Sequence, residues 1–513
     1  MKGGFIMFYV RMKVSVGLLF VLMAAAVPCL AQRPAWQGHV LRTTRMGDVL
    51  LPGEKIELVL GKQKKKSVFV TFREEPPLRP EKTVFAKEFR ITPGADARLV
   101  LPVDTSKLRY GIYSVQVRGM KWRHEGRGDH ERLLIAIVPP PLENPEKPAR
   151  LGVCLYSLQK QHAARGEDVV DLMKRLGIRS VKLRCPWADI EPKKGVFNWK
   201  KHDRDLDLFH KAGFLVGTTV TSTPRWASKA PRNTKRGAEY AGYRTYPPKK
   251  MGDWDAFIRR VAERYKGRLS FFEIWNEPGG PNFYRGSTKD FVRLVKGASK
   301  AFREVSPDTK LLVSGYHRFM PFEKDIWKQT FDDFDIASIH YETAFNLVKR
   351  SRSFLKGLGG KPIWNTEAMG LKKDPVKTIV ENRARGIEYI FLYKFYVQNR
   401  KDRSKAVRLR TTMLGLEMEL TGTAGRALFF RTASDMLDRT AFEKKTVTGG
   451  RHEYRFSKKG GGTLIVAWSS SKGDAEIELP ENVKQAVDAL GNPLPVEKDN
   501  LKLTRHPVFV VTE

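Results

Sequence analysis

Apolar and polar positions change rhythm along the chain. From about residue 32 to 146, short runs alternate at every second position, as in Lys55-Ile56-Glu57-Leu58-Val59-Leu60, Ser67-Val68-Phe69-Val70-Thr71-Phe72 and Tyr113-Ser114-Val115-Gln116-Val117, with glycine, proline and charged turns between them. Successive side chains of a strand point to opposite faces, so this alternation predicts half-buried strands and an N-terminal β-sandwich. The segment Val138-Pro139-Pro140-Pro141-Leu142-Glu143-Asn144-Pro145 is too rich in proline for either regular element and reads as a stiff linker.

Beyond the linker the pattern switches to strand and helix in turn. Predicted strands run over Leu151 to Ser157, Ser180 to Pro186, Phe214 to Thr221, the run ending in Trp275-Asn276-Glu277-Pro278, Lys310 to Ser314, Asp335 to His340, Pro362 to Thr366 and Ile387 to Tyr396. Between them lie helical stripes. Val169, Leu172, Met173 and Leu176 share one face of a helix stopped by Gly177, and Trp254, Phe257, Ile258, Val261 and Tyr265 share another. Ser287 and Asp290 form a capping-box pair ahead of Phe291, Leu294, Val295, Ala298 and Phe302. Eight strands alternating with helices predict an α/β fold, a closed parallel (β/α)8 barrel over residues 147–440. Alternation returns in Thr463 to Trp468, Ala475 to Leu479 and Pro507 to Val511, which predicts a smaller C-terminal β-domain over residues 441–513.

Within the barrel region two strands close on a glutamate. In Phe271-Phe272-Glu273-Ile274-Trp275-Asn276-Glu277-Pro278 a regular strand puts Glu273, Trp275 and Glu277 on one side, and Pro278, which cannot donate to a ladder, ends it. Glu277 then stands at the C-terminal rim of the fourth strand. Lys361-Pro362-Ile363-Trp364-Asn365-Thr366-Glu367-Ala368-Met369-Gly370 sets Glu367 at the same rim after the seventh. One glutamate after a strand is more often a helix cap than a catalyst. Two in the correct barrel slots are hard to obtain from packing alone.

Those residues, together with Arg184-Cys185-Pro186-Trp187 running into Glu191-Pro192-Lys193-Lys194-Gly195-Val196-Phe197-Asn198-Trp199, resemble the clan A retaining glycoside hydrolases over roughly residues 150 to 440. Within the clan the chain is most similar to the family 39 type, the β-xylosidases and α-L-iduronidases, with families 5 and 42 as competitors. The resemblance implies Glu277 as general acid/base, Glu367 as nucleophile and Asn276 as the partner of the sugar 2-hydroxyl. It offers Arg184, His340 and Tyr341 to orient and stabilise Glu367. Arg184 has a rival role, neutralising Glu273 inside the barrel, and His340 that of a satisfied rim histidine. Of the tryptophans, Trp226 in the loop Thr223-Pro224-Arg225-Trp226 is the one assigned to stack on a sugar ring. No metal or organic cofactor is expected.

The termini and the charge refine this picture. Val14 to Val27 is an apolar run behind Arg11 and Lys13, followed by Cys29-Leu30-Ala31, which predicts a secretory signal over residues 1–31 and a secreted or periplasmic protein. Met12 offers a more typical start to such a signal than Met1, and Pro28 disfavours acylation of Cys29. No other run is long enough to span a bilayer, so no stable membrane insertion is expected after cleavage. Cys154 and Cys185 then remain, on neighbouring predicted strands, as buried thiols or a single disulfide. The formal net charge is +37, yet the Lys and Arg are dispersed, and no zinc spacing or basic heptad accompanies them, so no nucleic-acid partner is expected. The loop from Thr221 to Lys250 carries eight Lys or Arg against one acid, Glu239, an excess above the chain's background. That excess raises an anionic glycan, uronic or sulfated, as the carbohydrate substrate. A catalytically silent polysaccharide-binding barrel is the alternative to an enzyme, and the presence of both glutamates argues against it. Oligomeric state is unspecified.

Overall fold

The computed structural model describes residues 41–513 apart from 44–47, 63, 76–81, 119–121, 124–128, 131, 141–149, 157, 159–165, 237–240, 281, 315–320, 342–345, 369–373, 394–423, 471–474 and 497–499. The expected signal at residues 1–31 and the linker from residue 141 on lie outside the described residues, as does the far end of the eighth predicted strand. No helix among the described residues is long and apolar enough to cross a membrane.

Eight parallel strands close into a barrel: β1 (Leu151–Tyr156), β2 (Ser180–Pro186), β3 (Leu215–Thr221), β4 (Phe271–Ile274), β5 (Lys310–Ser314), β6 (Ile336–His340), β7 (Ile363–Ala368) and β8 (Ile390–Leu392), with β1 pairing β8. Helices including Gly166–Arg175, Lys200–Lys211, Met251–Arg264 and Thr288–Val305 follow the strands, the last opened by the Ser287/Asp290 capping box. The helix stripes and the outward phase of each strand form one continuous core, with Val181, Leu183 and Cys185 of β2 packed in it.

The inward phase is layered. Cys154, Phe271, Leu312, Ile336, Trp364 and Phe391 make an apolar plug. Two residues further along the strands the same phase turns polar: Phe271 gives way to Glu273, Ile336 to Ser338 and Trp364 to Thr366, all fully buried. Cys154 therefore belongs to the interior plug and Cys185 to the outer core, on opposite faces of neighbouring strands. Both are free thiols.

Two of the predicted strand ends differ from the pattern. β4 stops at Ile274, because Trp275 and Glu277 take left-handed backbone, φ 68° and 44°. The turn rotates Trp275 out of the inward phase. Its ring packs edge-on against Tyr284 and its Nε1 donates to the Phe283 carbonyl, so it does not share a side with Glu273 as a regular strand requires. β7 runs on through Glu367 to Ala368, with irregular pairing to β6 and β8.

Before the barrel, a three-stranded sheet and a five-stranded sheet face each other. Ile56, Leu58, Leu60 and Leu99 meet Val68, Val70, Phe72 and Val115 in their shared core. After the barrel comes a five-stranded antiparallel sheet with a separate two-stranded pair. Residues His39–Glu513 form one compact unit, and particular contacts join its parts. Asn492, held by Asp488, accepts from the Tyr110 amide at 2.8 Å and donates to the Tyr110 carbonyl at 2.9 Å, so the last sheet system clasps the first. Arg175, on the first barrel helix, bonds Glu54 of the N-terminal sheets through both terminal nitrogens.

Gly217 of β3 is where the plug meets the barrel wall. A Cβ there would stand 2.0 Å from the Phe271 ring, which Trp364 and Phe391 hold at centroid distances of 5.5 and 5.2 Å. We expect Gly217→Ala to destabilise the protein by about 1–3 kcal/mol through overpacking, measured as a lowered midpoint in urea unfolding.

Candidate active site

The polar layer above the plug is a closed network. Glu273 accepts from Lys182 Nζ (2.8 Å) and Thr219 Oγ1 (2.6 Å) on one oxygen, and from Ser338 Oγ and Thr366 Oγ1 (both 2.7 Å) on the other. Burial resists the carboxylate charge, but Lys182 and His340 outweigh it and hold Glu273 well below the usual carboxylate range. Burial likewise opposes the Lys182 ammonium, and Glu273 and Glu367 keep it charged. Lys182, rather than Arg184, is thus the cation that neutralises Glu273. The strand pattern holds the signal: Val181, Leu183 and Cys185 claim the helix-facing phase, which forces Lys182 and Arg184 inward. Arg184 lies half-buried two residues nearer the mouth than Lys182.

At the mouth the structure brings Glu277, Glu367, His340 and Tyr341 together. His340 donates through Nδ1 to Glu277 Oε1 at 2.9 Å and through Nε2 to Thr366 Oγ1 at 3.1 Å, with Nδ1 also 3.7 Å from Glu367 Oε2. Burial alone lowers the histidine, but Glu367, Glu273 and Glu277 together raise it to about 9, so it is an imidazolium at neutral pH. Tyr341 donates its hydroxyl to Glu367 Oε2 at 3.3 Å and its amide to the Glu367 carbonyl at 3.1 Å. Burial first, then the neighbouring Glu367, push that phenol far up, so it stays a donor. On the other side of Glu367, Oε1 is 3.6 Å from Lys182 Nζ.

One carboxylate oxygen of each glutamate and a His340 nitrogen all lie within 4.8 Å of one another. The two acids face each other across a narrow gap, as the sequence pattern requires. Such a trio can close on a cation; His340 here has an oxygen partner on each ring nitrogen, Glu277 Oε1 and Thr366 Oγ1, an arrangement that also suits an acid–base centre. Lys182 and His340 supply two buried cations against the three buried carboxyls of Glu273, Glu277 and Glu367.

Backbone strain gathers here as well. Ser222, Trp275, Glu277 and Tyr341, each just beyond a barrel strand, have φ of 60°, 68°, 44° and 57°. Left-handed backbone in residues bearing side chains costs on the order of 1–3 kcal/mol each and persists where surrounding contacts over-determine it. Asn276, between two of them, is buried beside Glu277.

Trp226 is engaged elsewhere. Its Nε1 donates to the Glu191 carbonyl, its ring meets Trp187 edge-on at 5.8 Å and Lys194 lies 5.6 Å from its centroid, so it closes the loop after β2. Much of the basic loop is also committed internally. Arg244 binds Asp189 and is joined there by Arg236, Lys229 pairs with Asp290, and Arg225 caps the carbonyls of Pro231 and Arg232. Arg232, Lys235, Lys249 and Lys250 are exposed.

With this geometry in place, comparison with known proteins bears on the barrel. The family model for glycosyl hydrolases family 39 matches residues 187–346, a span that includes Glu277, His340 and Tyr341. An α-1,4-L-rhamnosidase of Formosa agariphila is 28% identical over 149 residues, covering 27% of this chain and 30% of that protein. A β-xylosidase of Caldicellulosiruptor saccharolyticus is 30% identical over 119 residues, covering 21% of this chain and 24% of its own. The chain therefore spans under a third of either curated relative. A family 39 glycoside hydrolase from Bacteroides cellulosilyticus shares the fold with a TM-score of 0.67 at 15% identity, over 92% of this chain and all 100% of that one.

A group whose pKa is raised by folding stabilises the protein fully below its unfolded value and loses that contribution as pH rises through the folded one. For His340 the window is from 6.5 to about 9. Across it, the unfolding free energy of the wild type should fall relative to that of His340→Gln by an amount on the order of 3 kcal/mol, read from urea titrations at each pH.

Proposed function

We propose that the protein is a retaining glycoside hydrolase acting on O-glycosidic bonds of an oligo- or polysaccharide by double displacement. The observation that carries this reading is the approach of the Glu277 and Glu367 carboxylate oxygens to within 4.8 Å at the barrel mouth. Retaining enzymes place their two carboxyl groups about 5–5.5 Å apart, whereas inverting enzymes leave room for a water at about 6.5–9.5 Å.

In the first step a Glu367 oxygen forms a bond to the anomeric carbon while the bond to the leaving oxygen breaks, and Glu277 delivers its proton to that oxygen. In the second, Glu277, now a carboxylate, takes a proton from water, whose oxygen attacks the anomeric carbon and frees Glu367. Tyr341 and Lys182, one on each Glu367 oxygen, suit a carboxylate that must be ionised and aimed. Asn276, buried beside Glu277, is given the sugar 2-hydroxyl by the resemblance to clan A glycoside hydrolases. Export is proposed from the apolar run Val14 to Val27.

Glu367→Ala should lose at least about a thousandfold in turnover on activated aryl glycosides, and Glu277→Ala as much on glycosides with poor leaving groups, whose departing oxygen needs the proton. Azide should restore activity with opposite product anomers, retained for Glu277→Ala and inverted for Glu367→Ala, as read by NMR of the glycosyl azides. Unaltered turnover in either variant removes the role given to that residue.

A uronic or sulfated glycan is the substrate class we favour from charge, and with half of the loop's basic residues committed internally the reading rests on Arg232, Lys235, Lys249 and Lys250. Replacing these four by Ser should lower kcat/KM on anionic oligosaccharides several-fold, more at low than at high salt, and leave neutral ones unchanged. Equal loss on both overturns it.

A further inference from the structure

The Lys182–Glu273 pair is the least expected feature of the barrel. An ammonium and a carboxylate, both fully buried, stand directly beneath the mouth in an interior that the plug otherwise fills with hydrocarbon. A buried pair of this kind is weak support for stability, since apolar residues of similar volume often do as well. Its position suggests another use. Lys182 Nζ is 2.8 Å from Glu273 and 3.6 Å from Glu367, and Glu273 reaches His340 through Thr366, whose hydroxyl accepts from His340 Nε2 and donates to Glu273 Oε1. His340 then donates to Glu277. One connected path therefore touches both mouth acids, Glu367 from one end and Glu277 from the other.

We propose that Lys182 and Glu273 are positioning residues that act on the two mouth acids from beneath, Lys182 presenting its charge to Glu367 and Glu273 holding the proton of His340 that faces Glu277. The effect on turnover rests on the glycosidase reading above; the effect on His340 does not. The other charged or titratable groups facing this path are Arg184, half-buried nearer the mouth, the Cys154 thiol, which donates to the Thr366 carbonyl at 2.9 Å and is pushed up by burial, and the Tyr341 hydroxyl. None of these makes a described bond to Glu273.

The two substitutions act in opposite directions. Lys182→Met removes the cation beside Glu367, so the acid limb of the kcat/KM profile moves to higher pH, with about a tenfold loss for each unit of displacement at a fixed pH below the limb. It also leaves Glu273 to His340 alone, so the histidine titrates higher. Glu273→Gln frees Lys182 to act on Glu367 and takes an anion from His340, so both midpoints move down. General damage to the fold cannot produce opposite shifts.

The test is side-chain 15N NMR on histidine-labelled protein, with the His340 signal identified by its loss in His340→Gln, alongside kcat/KM profiles on the aryl glycosides. Where a single variant leaves a buried charge and fails to fold, Lys182→Met/Glu273→Gln removes both charges at once. In that double variant the nearer partner dominates each group, so His340 should titrate below the wild type while the acid limb lies above it. Histidine and limb both at wild-type positions in the double variant, or shifts of the same sign in the two single variants, overturn the proposal. Expected histidine shifts in a protein that turns over no glycoside would instead sink the glycosidase reading and leave the coupling standing.

Discussion

The barrel depends on how its interior changes from hydrocarbon to charge within two residues along each strand. Phe271, Ile336 and Trp364 close the lower end, and the next inward residues, Glu273, Ser338 and Thr366, have no water to solvate them. Each must find its partner inside the barrel, and Lys182 is the ion that makes this feasible. An uncompensated Glu273 would be expensive enough to protonate or disorder the layer. Once Glu273 is paired, the hydroxyls of Thr219, Ser338 and Thr366 have a fixed acceptor, and His340 has a fixed platform. The mouth is accurate because the layer beneath it is fully satisfied.

Strain at the rim follows from the same arrangement. Trp275 and Glu277 leave the strand phase by adopting left-handed backbone, and the contacts that keep them there are those of an aromatic ring wedged between helix and loop and of a carboxylate bonded to His340. The irregular pairing of β7 does for Glu367 what the turn does for Glu277, since it lets a side chain near the end of a strand address the mouth.

Much of this was legible in the sequence. Period-two and helical stripes identify the eight barrel strands and the flanking sheets, and the two glutamates announce themselves by their slots. Three features were not. The rotation of Trp275 is a consequence of a positive φ that no side-chain pattern encodes. Lys182 was obscured because a lysine in a strand is ordinarily solvated; only the competing demand of Val181, Leu183 and Cys185 for the outer core turns it inward. Trp226 and the basic loop carried the composition of a binding surface, yet Glu191, Asp189 and Asp290, distant or unremarkable in the sequence, engage several of those groups internally.

The Asn492 clasp on Tyr110 joins residues 382 positions apart through a side-chain amide that imitates a strand partner. Topologically, it converts an open string of three sheet systems into a ring with the barrel threaded between its ends. Fraying at one terminus is thereby resisted by the opposite terminus without the barrel transmitting the load. The first and last sheet systems thus hold each other directly as well as through the barrel, which each also touches.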